Sequence, residues 1–172
     1  MKPGAGKSKG SQFEREVCVT LSCWITNGER EDCLWRSAMS GGRATVRGKR
    51  GKSTNAQLGD ISAITPEGQW LVDRFVIEAK FYADLDIDAF LFKGKGKLIQ
   101  FWHEVHRIAL KEKRHPLLIA KQNRLPAFLI STPVGIEELG MFNKVVVAAV
   151  KVEPCAHICW LSSLARVQCP SL

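Results

Sequence analysis

The sequence predicts an α/β domain in which a central mixed β-sheet is flanked by helices. Two segments, from Phe13 to Trp24 and from Leu98 to Arg114, have apolar residues at the spacing of amphipathic helices. Short apolar runs lie between and after these segments and predict strands. The order of helix, strands, helix, strands implies a sheet with helices packed on it.

The first helix is predicted to begin at Ser11, which is a suitable N-cap residue. Glu14 follows three positions later and completes a capping-box pattern. The helix is expected to end near Asn27-Gly28, because glycine commonly follows a helix end. Residues 1–10 are basic and rich in Gly and Ser, so we expect a flexible basic arm before the helix.

The middle of the chain predicts three strands and a basic loop. Residues 33–37 form the first predicted strand, and residues 41–57 contain many glycines and cations but no acid, which predicts a mobile loop. Strands over 58–65 and 71–81 follow, joined by a turn at Pro66-Glu67-Gly68, so the pair is predicted to be a β-hairpin.

Residues 84–88 are acidic and predicted to be irregular, and residues 93–97 form a second basic loop. The second helix is expected to end at His115-Pro116. Strands are then predicted over 117–121, 127–131 and 145–152. We expect residues 11–153 to form one domain, with 154–172 as a C-terminal extension of it.

The charge of the chain favours a polyanionic partner. The formal net charge is +8 and the pI about 9.4, at an ordinary apolar content, which suits a folded protein that binds nucleic acid. No apolar run reaches the roughly 20 residues of a membrane span, and no secretory signal is evident. A cytoplasmic location with reduced cysteines is therefore expected, in the host cytoplasm if the gene is a phage's. Cys155, His157 and Cys159 are spaced too tightly to favour a zinc site.

Three ionisable residues on predicted strands suggest metal-dependent chemistry. Glu78 and Lys80 are two positions apart, so they share one face of a strand. Asp60 lies on the neighbouring strand, and the two carboxylates, with the backbone carbonyl of Ala79, could hold one Mg²⁺. Lys80 would offset phosphate charge or help to deprotonate water. The simpler alternative is a solvated Glu78–Lys80 pair, a turn residue at Asp60 and a capping glutamate at Glu14.

The surrounding sequence closely resembles the archaeal-type Holliday junction resolvases of the PD-(D/E)xK nuclease superfamily. The resemblance covers roughly residues 8–132 in one order. It rests on these segments: Lys9 to Glu16, Trp35 to Gly41, Gly59 to Ile61, Val76 to Lys80, Gly96 to Phe101, and Leu117 to Lys121. It implies the restriction-endonuclease-like fold.

The resemblance also implies the roles of individual residues. Asp60 and Glu78 match the metal ligands and Lys80 the family lysine. Glu14 matches a helix-one glutamate that could hold a second ion or a metal-bound water, and Glu16 is the less suitable choice. Residues expected to approach the scissile strand are Arg36, Ser37 and Ser40. Gln100 falls where related nucleases carry a polar residue, although an exposed helix position explains it equally well. The expected cofactor is Mg²⁺, with Mn²⁺ able to substitute and no small-molecule cofactor.

The implied substrate is branched double-stranded DNA. The two basic loops are expected to contact phosphates through Arg43, Arg47, Lys49, Arg50, Lys52, Lys95 and Lys97. A four-way junction is cut on two opposed strands, so a homodimer is expected. Its surface could include Val145–Val150 or the stretch with Trp160, Leu161 and Leu164.

The sequence departs from this family at several points. Gly59 replaces the proline of the family motif, the basic loop is longer, and the tail has no counterpart. Three other functions therefore stay open: a flap, end or duplex nuclease of the same superfamily, a DNA-binding module without catalysis, and an RNA-binding protein. The last is disfavoured because the chain lacks a glycine-aromatic RNA-binding motif.

Overall fold

A computed structural model of the chain describes residues 5–37, 59–142, 144 and 148–170, with side chains from residue 9 onward. The predicted α/β architecture is confirmed: a five-stranded mixed sheet is flanked by helices, and a separate two-stranded sheet lies beside it. Within this part of the chain, no helix is long and apolar enough to cross a membrane.

Helix α1 covers Ala5–Ile25 and packs its apolar face, including Phe13, Val17 and Leu21, into the core. The helix therefore begins earlier than predicted. Ser11 lies inside it rather than at its N-cap, and residues 5–10 of the expected arm are helical. No proline interrupts this stretch. The predicted end is confirmed, because Gly28 has φ +89° and donates a backbone hydrogen bond to the Cys23 carbonyl (2.7 Å).

Strand β1 (Leu34–Arg36) pairs antiparallel with β2 (Ile61–Ala63), with Arg36 opposite Ile61. Helix α2 (Pro66–Arg74) follows, so the predicted hairpin between residues 58–65 and 71–81 is wrong. Pro66 occupies the first turn of a helix, where its missing N–H costs nothing, and the helix buries Leu71.

Strand β3 (Phe75–Tyr82) pairs in parallel with β4 (His115–Gln122). The connection between them contains α3 (Ile87–Lys93) and α4 (Lys97–Lys111). The long second helix is thus confirmed, whereas the short α3 overlaps a stretch that was predicted to be irregular. Phe90 on α3 is buried in the core, and this burial holds the short helix against the sheet.

The rest of the chain completes the sheet. Its elements are β5 (Phe128–Ser131), α5 (Pro133–Glu138), β6 (Ala148–Val150), β7 (Ala156–Trp160) and a 3₁₀ helix (Leu161–Arg166). The strand order is β3-β4-β5-β7-β6, so β7 from the C-terminal extension lies inside the sheet. The last predicted strand is confirmed over 148–150, while residues 145–147 lie outside the described residues.

The sheet separates two apolar clusters. Phe75, Ile77 and Ala79 of β3 belong to the cluster beside α1, and Val76 belongs to the cluster beside α4. Because side chains alternate along a strand, Glu78, Lys80 and Tyr82 lie on the α4 side. Leu161 and Leu164 are buried in the first cluster, so they are core residues rather than candidates for a dimer surface.

Candidate active site

Asp60 lies against the outer edge of β3, which is an edge strand of the five-stranded sheet. Its backbone N–H donates to the Ile77 carbonyl (2.8 Å), and its carboxylate accepts the Ala79 N–H at 3.0 Å. Asp60 thereby satisfies edge groups that no strand covers, and its side chain is fixed with only 11% of it exposed. This explains how a carboxylate is tolerated in a buried position.

Gly59 allows this close approach. It forms a bridge with Ile77 and has φ +85°, a conformation that side-chain-bearing residues rarely adopt. A Cβ atom at Gly59 would lie 2.4 Å from the Ile77 carbonyl oxygen. The departure from the family proline is therefore a requirement of this turn.

Glu78 and Lys80 complete a compact charged group with Asp60. The Lys80 amine lies 2.6 Å from the Glu78 carboxylate and 3.4 Å from the Asp60 carboxylate. It also lies 5.8 Å from the centre of the Phe101 ring on α4. The solvated Glu78–Lys80 pair considered from sequence is excluded, because the two side chains are only 16% and 22% exposed.

The electrostatics of this group favour an added cation. Burial, and then the neighbouring Asp60 carboxylate, raise the pKa of Glu78 to about 7. Burial on its own would lower the pKa of Lys80, but the charges of Glu78 and Asp60 outweigh it and raise that pKa. Lys80 is therefore a cation at neutral pH.

The structure does not bring Glu14 into this group. Its carboxylate accepts a 2.5 Å hydrogen bond from the Arg36 guanidinium, and both side chains are largely buried. Glu14 is thus not a capping residue, because Ser11 lies inside α1, and its carboxylate is paired with Arg36 instead. Glu16 instead lies 3.5 Å from Lys121 and is half exposed.

Ser37 connects the Arg36 side of the site to Asp60. Its N–H donates to the Asp60 carbonyl (2.8 Å), and its hydroxyl lies 2.6 Å from the hydroxyl of Ser62. Ser62 was missed by the sequence analysis. Its position two residues after Asp60 on a predicted strand was the available signal.

Besides Arg36 and Ser37, the structure describes two of the predicted DNA-contacting residues: Lys95 is exposed in the loop between α3 and α4, and Lys97 begins α4. Gln100, which was predicted only as an accessory residue, is exposed on the same helix. The remaining predicted contacts lie outside the described residues; they are Ser40, Arg43, Arg47, Lys49, Arg50 and Lys52.

Two carboxylates, not three, converge at the candidate metal site. Among the described residues no group of three or more His, Cys, Asp or Glu side chains is arranged to hold a metal ion. This excludes Glu14 from the group in this conformation and gives no support to zinc at Cys155, His157 and Cys159. The six cysteines are free, and burial raises the pKa of the Cys159 thiol to about 12.

Asp60 and Glu78 nevertheless fit a hard divalent cation. Both supply carboxylate oxygen, and a cation would offset the Asp60 charge that, after burial, raises the pKa of Glu78. The Ala79 N–H points to Asp60, so the Ala79 carbonyl lies on the same open edge of β3 and adds a third oxygen donor.

The comparison with protein families agrees with this geometry. The model of a family described as "Phage putative PDDEXK endonuclease" matches residues 5–152. No curated protein and no solved structure matches the chain. The matched family supports the nuclease superfamily and the restriction-endonuclease-like fold, and it does not single out the junction resolvases. Since the match covers most of the chain, this protein belongs to that phage family of PDDEXK endonucleases.

Proposed function

We propose that this protein is a metal-dependent DNA endonuclease that cuts branched DNA, with the four-way junction as its main substrate. The observation that carries the proposal is the group formed by Asp60, Glu78 and Lys80 at the open edge of β3. A carboxylate pair and a buried lysine at one edge have no evident structural purpose, because an apolar edge would cost less to bury.

Asp60, Glu78 and the Ala79 carbonyl would hold Mg²⁺, which Mn²⁺ could replace. When bound, the ion would neutralise the negative charge that develops on the phosphate oxygens during hydrolysis. The chain supplies the rest. Asp60 is oriented by the Ala79 N–H and by its own bond to Ile77, and Lys80 places a positive charge beside both carboxylates. In this arrangement Lys80 stabilises a phosphate oxygen, and it can orient the attacking water.

Arg36 and Glu14 supply a second polar pair next to the site. Arg36 lies opposite Ile61, the neighbour of Asp60, so we expect its guanidinium to reach a phosphate that is bound near the metal ligands. A phosphate on Arg36 would compete with Glu14 for the same donor. Glu14, once released from Arg36, becomes available for a second ion, as the resemblance to the resolvases leads us to expect.

Charge and chemistry support a branched substrate. The net charge of +8 and the exposed cation Lys95 favour phosphate contacts that position DNA without reading bases. The resemblance to junction resolvases supports the four-way junction, and cutting two opposed strands calls for a homodimer. Among the described residues of the surfaces considered, Trp160 and the exposed part of β6 remain available for pairing. A phage nuclease of this kind would act in the host cytoplasm.

The test compares a labelled four-way junction, a flap and a linear duplex of the same sequence. Each is incubated with Mg²⁺ or EDTA, using wild type and Asp60→Ala. Paired, symmetric nicks in the junction alone, lost with EDTA and in the variant, are expected. Equal cutting of all substrates would retain the metal nuclease but refute junction specificity. Junction binding without cleavage of any substrate would favour a non-catalytic DNA-binding module.

A further inference from the structure

We infer that Tyr82, supported by Phe101, forms a stacking platform for one unpaired nucleobase of the strand being cut. The inference rests on the proposed function and names a feature of the substrate that the site would recognise. No role was assigned to either aromatic residue from the sequence, and neither belongs to the charged group of the site.

The platform lies in line with the charged residues of the site. Glu78, Lys80 and Tyr82 alternate along β3, so all three project from the same face. Successive residues on one face of a strand are about 6.7 Å apart. A phosphate held near Lys80 therefore brings the base of its own or the next nucleotide within reach of the Tyr82 ring.

The ring is both accessible and supported from below. Tyr82 is 41% exposed, although it lies beside the apolar cluster of α4. Its ring centre is 5.2 Å from that of Phe101, with 31° between the two planes, which is the range of an offset aromatic pair. Phe101 is partly buried and also contacts Lys80 through its ring face, so the same aromatic residue supports the platform and the catalytic amine.

Cations surround the platform where a nucleic-acid backbone would pass. The Lys97 amine lies over the Tyr82 ring, 5.3 Å from its centre, and donates a hydrogen bond to the Asp84 carbonyl (3.2 Å), so a stacked base would share the exposed part of the ring with this cation. Lys80, two residues before Tyr82 on the same face of β3, pairs with Glu78, and Lys95 is exposed in the adjoining loop. An aromatic surface between cations is the arrangement that binds single-stranded nucleic acid.

The expected ligand is a base rather than a paired duplex. Bases within a duplex are stacked on their neighbours and do not present a free face, whereas a branch point, a gap or a single strand does. An aromatic ring accepts any base, so this contact would select the disturbed structure of the DNA and leave the sequence unread.

The test measures binding in EDTA, so that cleavage does not contribute. The probe is a single-stranded oligonucleotide with one 2-aminopurine, a base whose fluorescence is quenched by stacking. Tyr82→Leu keeps apolar cover over Phe101 but removes the aromatic face, and Tyr82→Phe keeps that face. Phe142→Ala is the matched control, because Phe142 is 51% exposed and follows Glu138, which pairs with Arg74 at the opposite end of β3.

Wild type, Tyr82→Phe and Phe142→Ala are expected to bind and quench the probe alike. Tyr82→Leu is expected to lose the quenching and to bind about 5- to 140-fold more weakly, from a stacking contribution of about 1–3 kcal/mol. Equal binding by Tyr82→Leu and wild type would overturn the inference, as would an equal loss in Tyr82→Phe. Tyr82-dependent quenching without cleavage of any DNA would refute the proposed function and leave the platform intact.

Discussion

Replacing Gly59 with alanine should damage the site through the backbone alone. The new Cβ atom would lie 2.4 Å from the Ile77 carbonyl oxygen, so Gly59 must move away from β3. The movement would break the bond from the Asp60 N–H to Ile77 and disturb the bond from the Ala79 N–H to the Asp60 carboxylate. Neither bond involves the side chain of the substituted residue.

The expected cost has two parts. An alanine at φ +85° carries strain of about 1–2 kcal/mol. Loss of the two hydrogen bonds adds about 1–3 kcal/mol, so the free energy of unfolding should fall by about 2–5 kcal/mol in all. Displacement of the Asp60 carboxylate by about 1 Å should reduce DNA cleavage about 100-fold.

Gly28→Ala is the matched control for this experiment. Gly28 has φ +89°, but a Cβ atom there would meet nothing within 4 Å. Backbone strain should therefore lower the free energy of unfolding of Gly28→Ala by only about 1–2 kcal/mol, and the variant should retain wild-type cleavage. Urea unfolding and a cleavage assay measure both variants. Equal destabilisation of Gly59→Ala and Gly28→Ala, with cleavage retained by both, would refute the role of this close approach.

Three further predictions follow from charge and burial. Because the pKa of Glu78 is raised to about 7 in the folded protein, the stability that this group contributes without metal is present below pH about 4.5 and lost as the pH rises through 7. Urea unfolding in EDTA should show a free energy of unfolding up to about 3 kcal/mol lower at pH 8 than at pH 5, and Glu78→Gln should abolish this difference. The same pH dependence in wild type and Glu78→Gln would contradict the prediction. Arg36→Gln leaves the Glu14 carboxylate without its partner and should lower the free energy of unfolding by about 1–3 kcal/mol. Adding Glu14→Gln should restore part of this loss in the double variant. Purely additive losses would show that the pair is not coupled. Burial, and then the Glu14 charge, raise the pKa of Cys18 to about 12. Iodoacetamide at pH 8 should therefore modify the exposed Cys155 well before the buried Cys18 or Cys159, as measured by mass spectrometry. Faster labelling of Cys18 than of Cys155 would contradict the burial of Cys18.

The sequence allowed the charged group of Asp60, Glu78 and Lys80 to be predicted because its residues lie on short, local patterns. Glu78 and Lys80 are related by the two-residue period of a strand, and Asp60 follows a glycine at a strand edge. Their roles stay proposals, but the structure does bring all three together.

Other features depend on contacts that no local pattern reveals. Pro66 is compatible both with a β-turn and with the first turn of a helix. The helix forms because it buries Leu71 in the core. The C-terminal extension forms β7 because Phe128–Ser131 pairs with residues 157–160, a partner about 30 positions away. Likewise, the pairing of Glu14 with Arg36 depends on how α1 packs against β1, so a capping pattern was misleading.

We propose that the Asp60 carboxylate holds the catalytic metal. The most direct measurement is the rate of Mg²⁺-dependent DNA cleavage by wild type, Asp60→Asn and Asp73→Asn. Asparagine keeps the oxygen that accepts the Ala79 N–H, so the fold should survive, and Asp73 is an exposed carboxylate on α2 that pairs with Gln69. A loss of at least about 100-fold in Asp60→Asn, with Asp73→Asn unchanged, is predicted. Wild-type cleavage by a folded Asp60→Asn protein would contradict the account.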